Sequence, residues 1–297
     1  MKRGLFVGLV TLDYIYQADH PPAANEKVVA TQAMMAAGGP TTNAAVAFSQ
    51  LADQRAIVLG VLGAHPLAAL IREDLARWQV DLIDLQPERA IPPPVSSIVV
   101  SAATGERAVI SRNAADRQHL SDAPFDTQYG AQWSDLLDGV DVILIDGHQM
   151  AMGATLAALA QARDIPVVVD AGSWKPGFDR VLRRADVVIA SANFSPPDRS
   201  DPMTYLGSLG IAKIAITQGE QPIQVSQQGR HTQLEVPQVK VVDTLGAGDI
   251  FHGAFCHFYP ELPFESALAA ASRVAAFACQ HFGTRDWINP YSASLPI

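Results

Sequence analysis

Cysteine is nearly absent from this chain of 297 residues, in which only Cys256 and Cys279 occur. The two residues form neither a CxxC pair nor a spacing typical of zinc ligands, so we interpret both as buried thiols and expect no disulfide or zinc site. Basic residues are also in deficit: 21 Lys and Arg stand against 30 Asp and Glu, a formal net charge of −9. Non-specific nucleic-acid binding needs a basic surface to displace counterions, so we expect no nucleic-acid partner.

Long apolar runs and linker-like tracts are missing as well. No segment approaches the roughly 20 apolar residues of a membrane-spanning helix, and we expect no membrane partner. The opening MKRGLFVGLVTLDYIY is basic and then apolar, but Asp13 follows early and no small-residue cleavage site appears. We therefore predict a buried first strand rather than a signal peptide, and a cytoplasmic protein. Without a linker, repeat or low-complexity segment, residues 1–297 are predicted to form a single domain.

Short apolar, β-branched runs alternate with helical patterns. Near-continuous apolar character favours strands of a parallel sheet that is covered on both faces. The alternation predicts an α/β fold, a doubly wound and mainly parallel sheet flanked by helices. The predicted strands are Leu5–Val10, Ile57–Leu62, Val140–Ile145, Ile165–Asp170, Asp186–Ala190 and Ile211–Thr217, and the predicted helices are Thr42–Ala52, Pro66–Trp78, Met150–Arg163, one from Asp249 to Pro260 and one from Pro263 to a C-cap at Gly283.

Two stretches interrupt this alternation. Glu26–Ala36 and Val95–Asn113 have strand character, and no helix separates either stretch from its neighbouring strand. The second stretch is a hairpin around a Thr-Gly turn. Residues of about 11–36 and 95–113 are therefore predicted to form a small β subdomain beside the main sheet. It would serve as a lid over an active site, as a surface for a homodimer through exposed strand edges, or as both.

The segment Val241–Gly253, VVDTLGAGDIFHG, is the most informative. Its glycine-rich turn, Gly246-Ala247-Gly248, leads directly into a predicted helix that starts near Asp249. A helix N-terminus presents free N–H groups with partial positive charge, which suits phosphate oxygens. Helix capping and tight packing explain many such turns equally well.

The string DTLGAGD matches the DTxGAGD motif of the ribokinase-like (PfkB) family of carbohydrate kinases. Four further motifs resemble that family in the same order, so the resemblance runs from residue 4 to about residue 283. The sequence lacks GxxxxGK[ST] and the HRD and DFG motifs of protein kinases. The four motifs are GLVTLD (8–13), GGPTTNAA (38–45), GER (105–107) and TQG (217–219).

The resemblance implies a catalytic apparatus for phosphoryl transfer, with the predicted subdomain as a small β-strand lid. Asp249 resembles the general base that takes the proton of the attacking hydroxyl. The amides of Gly246, Ala247, Gly248 and Asp249 resemble the anion hole around the transferred group. Such a reaction demands alignment and charge stabilisation more than covalent chemistry.

On the substrate side, Asp13, Gly38, Gly39 and Asn43 resemble the contacts to sugar hydroxyls, and Arg107 would reach the substrate from the lid. Taken singly, these residues also fit a strand end, a turn, a helix N-cap and a solvated arginine. On the nucleotide side, the resemblance implicates Thr217, Gly219, Asn193 and Ser272 together with Gly246 and Gly248. Ser272 fits equally well as a small packing residue.

The implied cofactors are ATP and Mg²⁺, with a monovalent cation such as K⁺ also considered. Many relatives carry an Asn-Glu-x-Glu element that helps to organise Mg²⁺, where this chain has Asn193-Phe194-Ser195-Pro196. No direct metal ligand can therefore be named. Asp170 is considered as an outer-shell partner, and Mg²⁺ would be held mainly by phosphates and water.

The expected reaction is ATP-dependent phosphorylation of a hydroxymethyl group on a small sugar. Motif details similar to ketohexokinases and sulfofructose kinases favour a ketose such as fructose. A nucleoside kinase of the same fold stays open, with the Tyr14–Tyr16 region as a cradle for a base. A catalytically idle sugar- or nucleotide-binding protein also stays open, because both acids after Asn193 are missing.

Overall fold

The computed structural model describes residues 2–51, 55–112, 130–197 and 201–294. The strands are β1 (Gly4–Val7), β2 (Thr11–Ala18), β3 (Gln32–Gly38), β4 (Ala56–Gly60), β5 (Val80–Asp84), β6 (Val95–Ser101), β7 (Arg107–Ser111), β8 (Val142–Ile145), β9 (Val167–Ala171), β10 (Val187–Ser191), β11 (Lys213–Gln218), β12 (Gln221–Gln227) and β13 (Arg230–Leu234). The helices are α1 (Pro40–Gln50), α2 (Leu67–Arg77), α3 (Gly130–Leu136), α4 (Met150–Gln161), α5 (Asp179–Leu182), α6 (Pro202–Ser208), α7 (Ala247–Phe258), α8 (Phe264–Ala278) and α9 (Ile288–Ser294). Within these residues, no helix has the length and apolar character needed to cross a membrane.

The main sheet has nine strands in the order β13-β12-β11-β10-β9-β8-β1-β4-β5. From β11 to β5 all neighbours are parallel, while β12 and β13 add an antiparallel hairpin at one edge. The chain runs outward from β1 through β4 and β5 and then returns to β8 on the other side of β1. This topology confirms the predicted α/β fold and creates a switch point, where ligands bind in open sheets of this kind.

Both faces of the main sheet are buried, which explains why its strands are apolar without alternation. In β1, Phe6 faces a core that also contains Phe48 of α1 and Phe255 of α7. Its neighbours Leu5 and Val7 face a second core on the side of α4 and α5. Helices therefore cover the sheet on two sides, and α1 and α7 share one of them.

Three sequence-based boundaries were wrong. The first strand ends at Val7 rather than Val10, because the N–H of Leu9 donates to the carboxylate of Asp146 (2.9 Å) instead of to a neighbouring strand. The strand predicted from Glu26 begins only at Gln32. Helix α8 ends at Ala278 rather than beside Gly283, although Gly283 does have a positive φ of 67°. Two predicted end residues, Ala52 and Asn113, lie outside the described residues.

A second sheet of four strands, in the order β3-β2-β6-β7, lies beside the main one. Its own small core contains Ile15, Ile98, Val100 and Phe282. The turn between β6 and β7 contacts the segment before α7, where a Cβ on Gly105 would lie 2.7 Å from Cγ1 of Val241. The second sheet therefore touches the chain just ahead of the glycine-rich turn.

Helices α1 and α7 cross in close contact at Gly253. A Cβ at this position would collide with the carbonyl oxygen of Ala44 and would lie 2.8 Å from Cβ of Ala47. Because backbone rather than a flexible side chain blocks the space, Gly253→Ala should destabilise the protein by about 1–3 kcal/mol, although alanine is the better helix former. Chemical denaturation would measure the change in the free energy of unfolding.

Gly207→Ala in α6 is the matched control, because nothing lies within 4 Å of its virtual Cβ. It should leave stability unchanged or raise it by up to about 1 kcal/mol. Equal stability of the two variants would contradict the assigned helix crossing.

Candidate active site

The first turns of α1 and α7 meet at the carboxyl-terminal edge of the main sheet. Helix α1 starts after Gly39 and carries Asn43, and α7 starts after Gly246 and carries Asp249. The amide Nδ2 of Asn43 donates a hydrogen bond of 2.8 Å to Oδ2 of Asp249. The structure thus joins two residues that are 206 positions apart in the chain and that the sequence assigned to neighbouring roles.

The glycine-rich turn leaves open space at Gly248, where nothing lies within 4 Å of a virtual Cβ. Gly246 is the N-cap of α7 in a left-handed conformation with φ 70°, and a Cβ there would lie 2.9 Å from Cγ2 of Thr284. The N–H of Ala247 donates a bond of 3.3 Å to the carbonyl of Thr244. The amides of Gly248 and Asp249 belong to the first helical turn, which has no preceding helical carbonyl to accept them. This arrangement suits an anion.

Asp243 holds the start of this turn in place. Its carboxylate is buried and accepts bonds of 2.7 Å from the N–H of Leu245 and 2.8 Å from the N–H of Gly283. Sequence analysis assigned it no role, although an Asp whose side chain bonds the backbone two residues on is a familiar turn signal.

Burial, together with the nearby carboxylate of Asp170, raises the pKa of Asp249 to about 7. The bond from Asn43 and the charges of His252 and Arg107 oppose this rise. Asp249 remains partly exposed to solvent. A carboxylate of this kind accepts a proton more readily than an ordinary aspartate, as a general base near neutral pH requires.

Asp170 and His252 are ionisable neighbours of Asp249. Nδ1 of His252 is 2.7 Å from the carbonyl oxygen of Gly248, while Nε2 is 3.4 Å from that of Ile189 and 3.7 Å from Oδ1 of Asp170. Both ring nitrogens therefore face oxygen atoms. The described residues include no cluster of three or more His, Cys, Asp or Glu side chains that could hold a metal. Asp170 is a carboxylate available to the hydration shell of Mg²⁺, which commonly keeps its water.

Asp13 lies against the Gly38-Gly39 turn. Its carboxylate fills the space that a Cβ on Gly38 would take, and it accepts a bond of 2.7 Å from Thr11. Burial raises the pKa of Asp13, opposed by hydrogen bonds from Thr11 and Ser96 and by the charge of Arg285.

Asp146, which sequence analysis missed, fixes the other side of the same turn. Its buried carboxylate accepts bonds from the N–H of Leu9 (2.9 Å) and from the hydroxyl of Thr41 (2.7 Å), and it contacts His148 at 3.1 Å. Although burial acts in the opposite direction, His148 and these donors hold the pKa of Asp146 well below its usual range. A lone aspartate after an apolar run carries no local signal of such a role.

Arg107 reaches the site from the second sheet. Its Nη1 donates bonds to Oγ1 (3.1 Å) and to the carbonyl oxygen (3.4 Å) of Thr244, two residues before Gly246. The side chain is exposed. It is therefore placed beside the anion-binding turn.

The residues expected on the nucleotide side lie further along the sheet edge. Thr217 is the penultimate residue of β11, and its hydroxyl donates 3.3 Å to the carbonyl of Ala190. Gly219 occupies the turn after β11 with φ 63°. Asn193 is exposed after β10. Ser272 is buried, and its hydroxyl donates 2.9 Å to the carbonyl of Ala269 in its own helix, so its described geometry is that of a packing residue.

Arg285 is a further buried residue at the site that sequence analysis did not identify. Its Nη1 donates 3.0 Å to Oδ1 of Asn43, on the side of that amide opposite Asp249. The two residues are 242 positions apart, so no spacing rule could have linked them.

Comparisons with known proteins agree with this geometry. The family model for the pfkB family of carbohydrate kinases matches residues 1–290. The ribokinase of Bacillus subtilis (strain 168) is 25% identical over 297 residues, which cover 96% of this chain and 95% of the relative. A crystal structure of a putative ribokinase from Agrobacterium tumefaciens superposes with a TM-score of 0.80 at 21% identity and covers 99% of both chains. The adenosine kinase of Sinorhizobium meliloti has a TM-score of 0.74 at 16% identity and the same coverage. The chain therefore belongs to the pfkB family of carbohydrate kinases and is an ATP-dependent carbohydrate kinase.

Proposed function

We propose that this kinase phosphorylates a hydroxymethyl group on a small sugar, with Asp249 as the general base. The observation that carries the proposal is the position of Asp249 in the first turn of α7. There it accepts a hydrogen bond from Asn43 and stands next to the open amides of the glycine-rich turn. Asp13, whose carboxylate lies against Gly38, supplies a second carboxylate for substrate hydroxyls, which are both donors and acceptors.

In the proposed reaction, a substrate hydroxyl oxygen attacks the γ-phosphorus of ATP in line with the leaving group. The new O–P bond forms, the bond to the β–γ bridging oxygen breaks, and ADP leaves with that electron pair. Asp249 takes the hydroxyl proton. The amides of Gly246, Ala247, Gly248 and Asp249 stabilise the charge on the equatorial oxygens. Mg²⁺, when bound to the phosphates, would neutralise part of their charge, with Asp170 in its outer shell.

The remaining assignments belong to the same proposal. Thr217, Gly219, Asn193 and Ser272 would lie along the nucleotide, of which Ser272 has its hydroxyl already engaged by its own helix. The second sheet would act as the lid, because it carries Asp13 and Arg107 and contacts the segment before α7. A cytoplasmic location stays a prediction from the N-terminal sequence, and a response to K⁺ stays a prediction from the family resemblance.

A ketose stays the favoured substrate on motif resemblance alone. For the nucleoside alternative, Tyr14 and Tyr16 were the candidate cradle, and their rings do pack together at 4.9 Å. In a strand, however, residues 14 and 16 project from the face opposite residue 13. The tyrosine pair therefore does not face the side on which Asp13 meets Gly38, which favours a sugar over a nucleoside.

Asp249→Asn should abolish transfer while preserving nucleotide binding. Loss of a positioned base reduces a rate by roughly 100- to 10,000-fold. The measurement is mass-spectrometric detection of phosphorylated product after incubation with Mg-ATP and a panel of ketoses, aldoses, sugar acids, sugar phosphates and nucleosides.

Asp201→Asn is the matched control, because Asp201 caps α6 through Thr204, outside the candidate site, and asparagine is an equally good cap. This variant should phosphorylate the same compound as wild type. Undiminished transfer by Asp249→Asn would refute the assigned base. Absence of product from wild type with every compound would instead favour a binding protein.

The rate of transfer should fall as the pH drops through the raised pKa of Asp249, because only the carboxylate form accepts the proton. Asp170→Asn removes the neighbouring negative charge, lowers the pKa of Asp249 and should move the acid limb of the kcat profile to lower pH. Steady-state kinetics between pH 5 and 9 would measure the limb. An acid limb that moves to higher pH in Asp170→Asn would contradict the assigned charge interaction.

We also propose a homodimer that pairs through β7, the last strand in the order of the second sheet. Ile110 is 78% exposed there and Val109 is 50% exposed. Ile110→Lys should convert a dimer into a monomer in sedimentation equilibrium at micromolar concentration. Ile91→Lys, at a residue 55% exposed outside both sheets, is the control that should stay dimeric. A monomeric wild type would end this proposal.

A further inference from the structure

Arg285 is the most constrained buried cation near the proposed base. Its side chain is 6% exposed and lies in the segment between α8 and α9. Nη1 donates to Oδ1 of Asn43 at 3.0 Å and to the carbonyl of Thr284 at 3.1 Å. Nη2 donates to the carbonyl of Ala37 at 2.6 Å and to Oδ2 of Asp74 at 3.2 Å. Four acceptors therefore fix the plane of the guanidinium.

This fixed plane determines which way the Asn43 amide points. A guanidinium donates hydrogen bonds and accepts none, so Asn43 must turn its oxygen toward Arg285. The nitrogen end of the amide then points to Asp249, where it donates the bond of 2.8 Å. A reversed amide would place an oxygen against the carboxylate and its N–H groups against the cation, and both contacts would be lost.

We infer that Arg285 is a positioning residue for the proposed base, acting through Asn43. The chain of contacts runs from the Asp74 anchor to Arg285, from Arg285 to Asn43 and from Asn43 to Asp249. Each residue of this chain is held by the previous one. The orientation of Asp249 is therefore set from the buried side of the site before substrate binds. The inference deepens the proposed function and rests on it.

Arg285 also acts on Asp249 through its charge. Burial lowers the pKa of Arg285, and the carboxylates of Asp74, Asp13 and Asp249 raise it in return. The other groups that face Asp249 are Asp170 on β9, which disfavours the carboxylate, and His252 on α7 and Arg107 on β7, which favour it. Removal of Arg285 takes away one of the positive charges that keep the base ionised.

A purely structural role is the competing explanation, because Arg285 and Asp74 also hold the end of β3. The N–H of Ala37 donates 3.0 Å to Asp74 while its carbonyl accepts from Arg285. Removal of the arginine alone would leave Asp74 buried without its cation and would disturb folding. The test therefore starts from Asp74→Asn, in which asparagine retains an oxygen for the N–H of Ala37.

In the Asp74→Asn background, Arg285→Met and Arg285→Lys are compared. Arg285→Met should lower kcat by roughly 10- to 100-fold, with the KM for ATP changed by less than about two-fold, because it misplaces the base and not the nucleotide. Arg285→Lys keeps a donor-only cation and should recover most of kcat. The acid limb of the kcat profile should move to higher pH in Arg285→Met alone.

A further comparison isolates the route through Asn43. Well above the acid limb Asp249 is fully ionised, so any remaining loss of kcat reflects position rather than charge. When Asn43→Ala is also present, the loss of kcat caused by Arg285→Met above the acid limb should shrink to less than about two-fold. The reason is that the effects of residues in one chain of contacts are not additive. Equal losses with and without Asn43, or a lower melting temperature with unchanged kcat and acid limb, would overturn the inference.

One measurement does not depend on turnover. In protein labelled with ¹³C at the aspartate carboxyl carbons, the Asp249 signal is identified by its absence from Asp249→Asn and is titrated by NMR. Its apparent pKa should be higher in Asp74→Asn/Arg285→Met than in Asp74→Asn. An unchanged titration overturns the charge effect of Arg285, whereas failure of wild type to phosphorylate any compound overturns only the proposed function.

Discussion

Asp249 and Asp170 bring two carboxylates together at the carboxyl-terminal edge of the main sheet, and the pKa of Asp249 rises because burial and a like charge both oppose its ionised form. Such a pair is unfavourable unless donors and cations surround it. Here the compensation comes from four separate parts of the chain, namely Asn43 on α1, His252 on α7, Arg107 on β7 and Arg285 after α8. The site can therefore form only when both sheets and the C-terminal segment have assembled.

Other buried aspartates of the same site have a structural use instead. Asp146 accepts hydrogen bonds from backbone and hydroxyl donors and stays ionised, so it secures the Gly38-Gly39 turn. Asp243 accepts two backbone N–H bonds and secures the turn before α7. Asp249 has one side-chain donor and remains partly exposed to solvent. The number of donors around each carboxylate thus separates the residues that hold the site from the residue proposed to react.

Sequence reasoning succeeded wherever the signal was local. Apolar runs predicted the parallel strands, and the motif around Gly246 predicted a helix start that the structure places beside Asn43. It failed where a distant group decides the outcome. The first strand stops at Val7 because Asp146, far along the chain, takes the N–H of Leu9 as its donor. Arg285 has no pattern around it, since its contacts form only when the segment after α8 packs against β3, α1 and α2.

The second sheet is linked to the anion-binding turn by direct contacts. Gly105, at the tip of the β6–β7 hairpin, accepts bonds of 3.1 Å from both the N–H and the hydroxyl of Thr244. Arg107 on the same hairpin donates to Thr244 from the other side. Thr244 also accepts from the N–H of Ala247, at the edge of the glycine-rich turn. Any displacement of the hairpin must therefore change the contacts of this turn, so the proposed covering of the substrate and the shape of the proposed phosphate site are coupled.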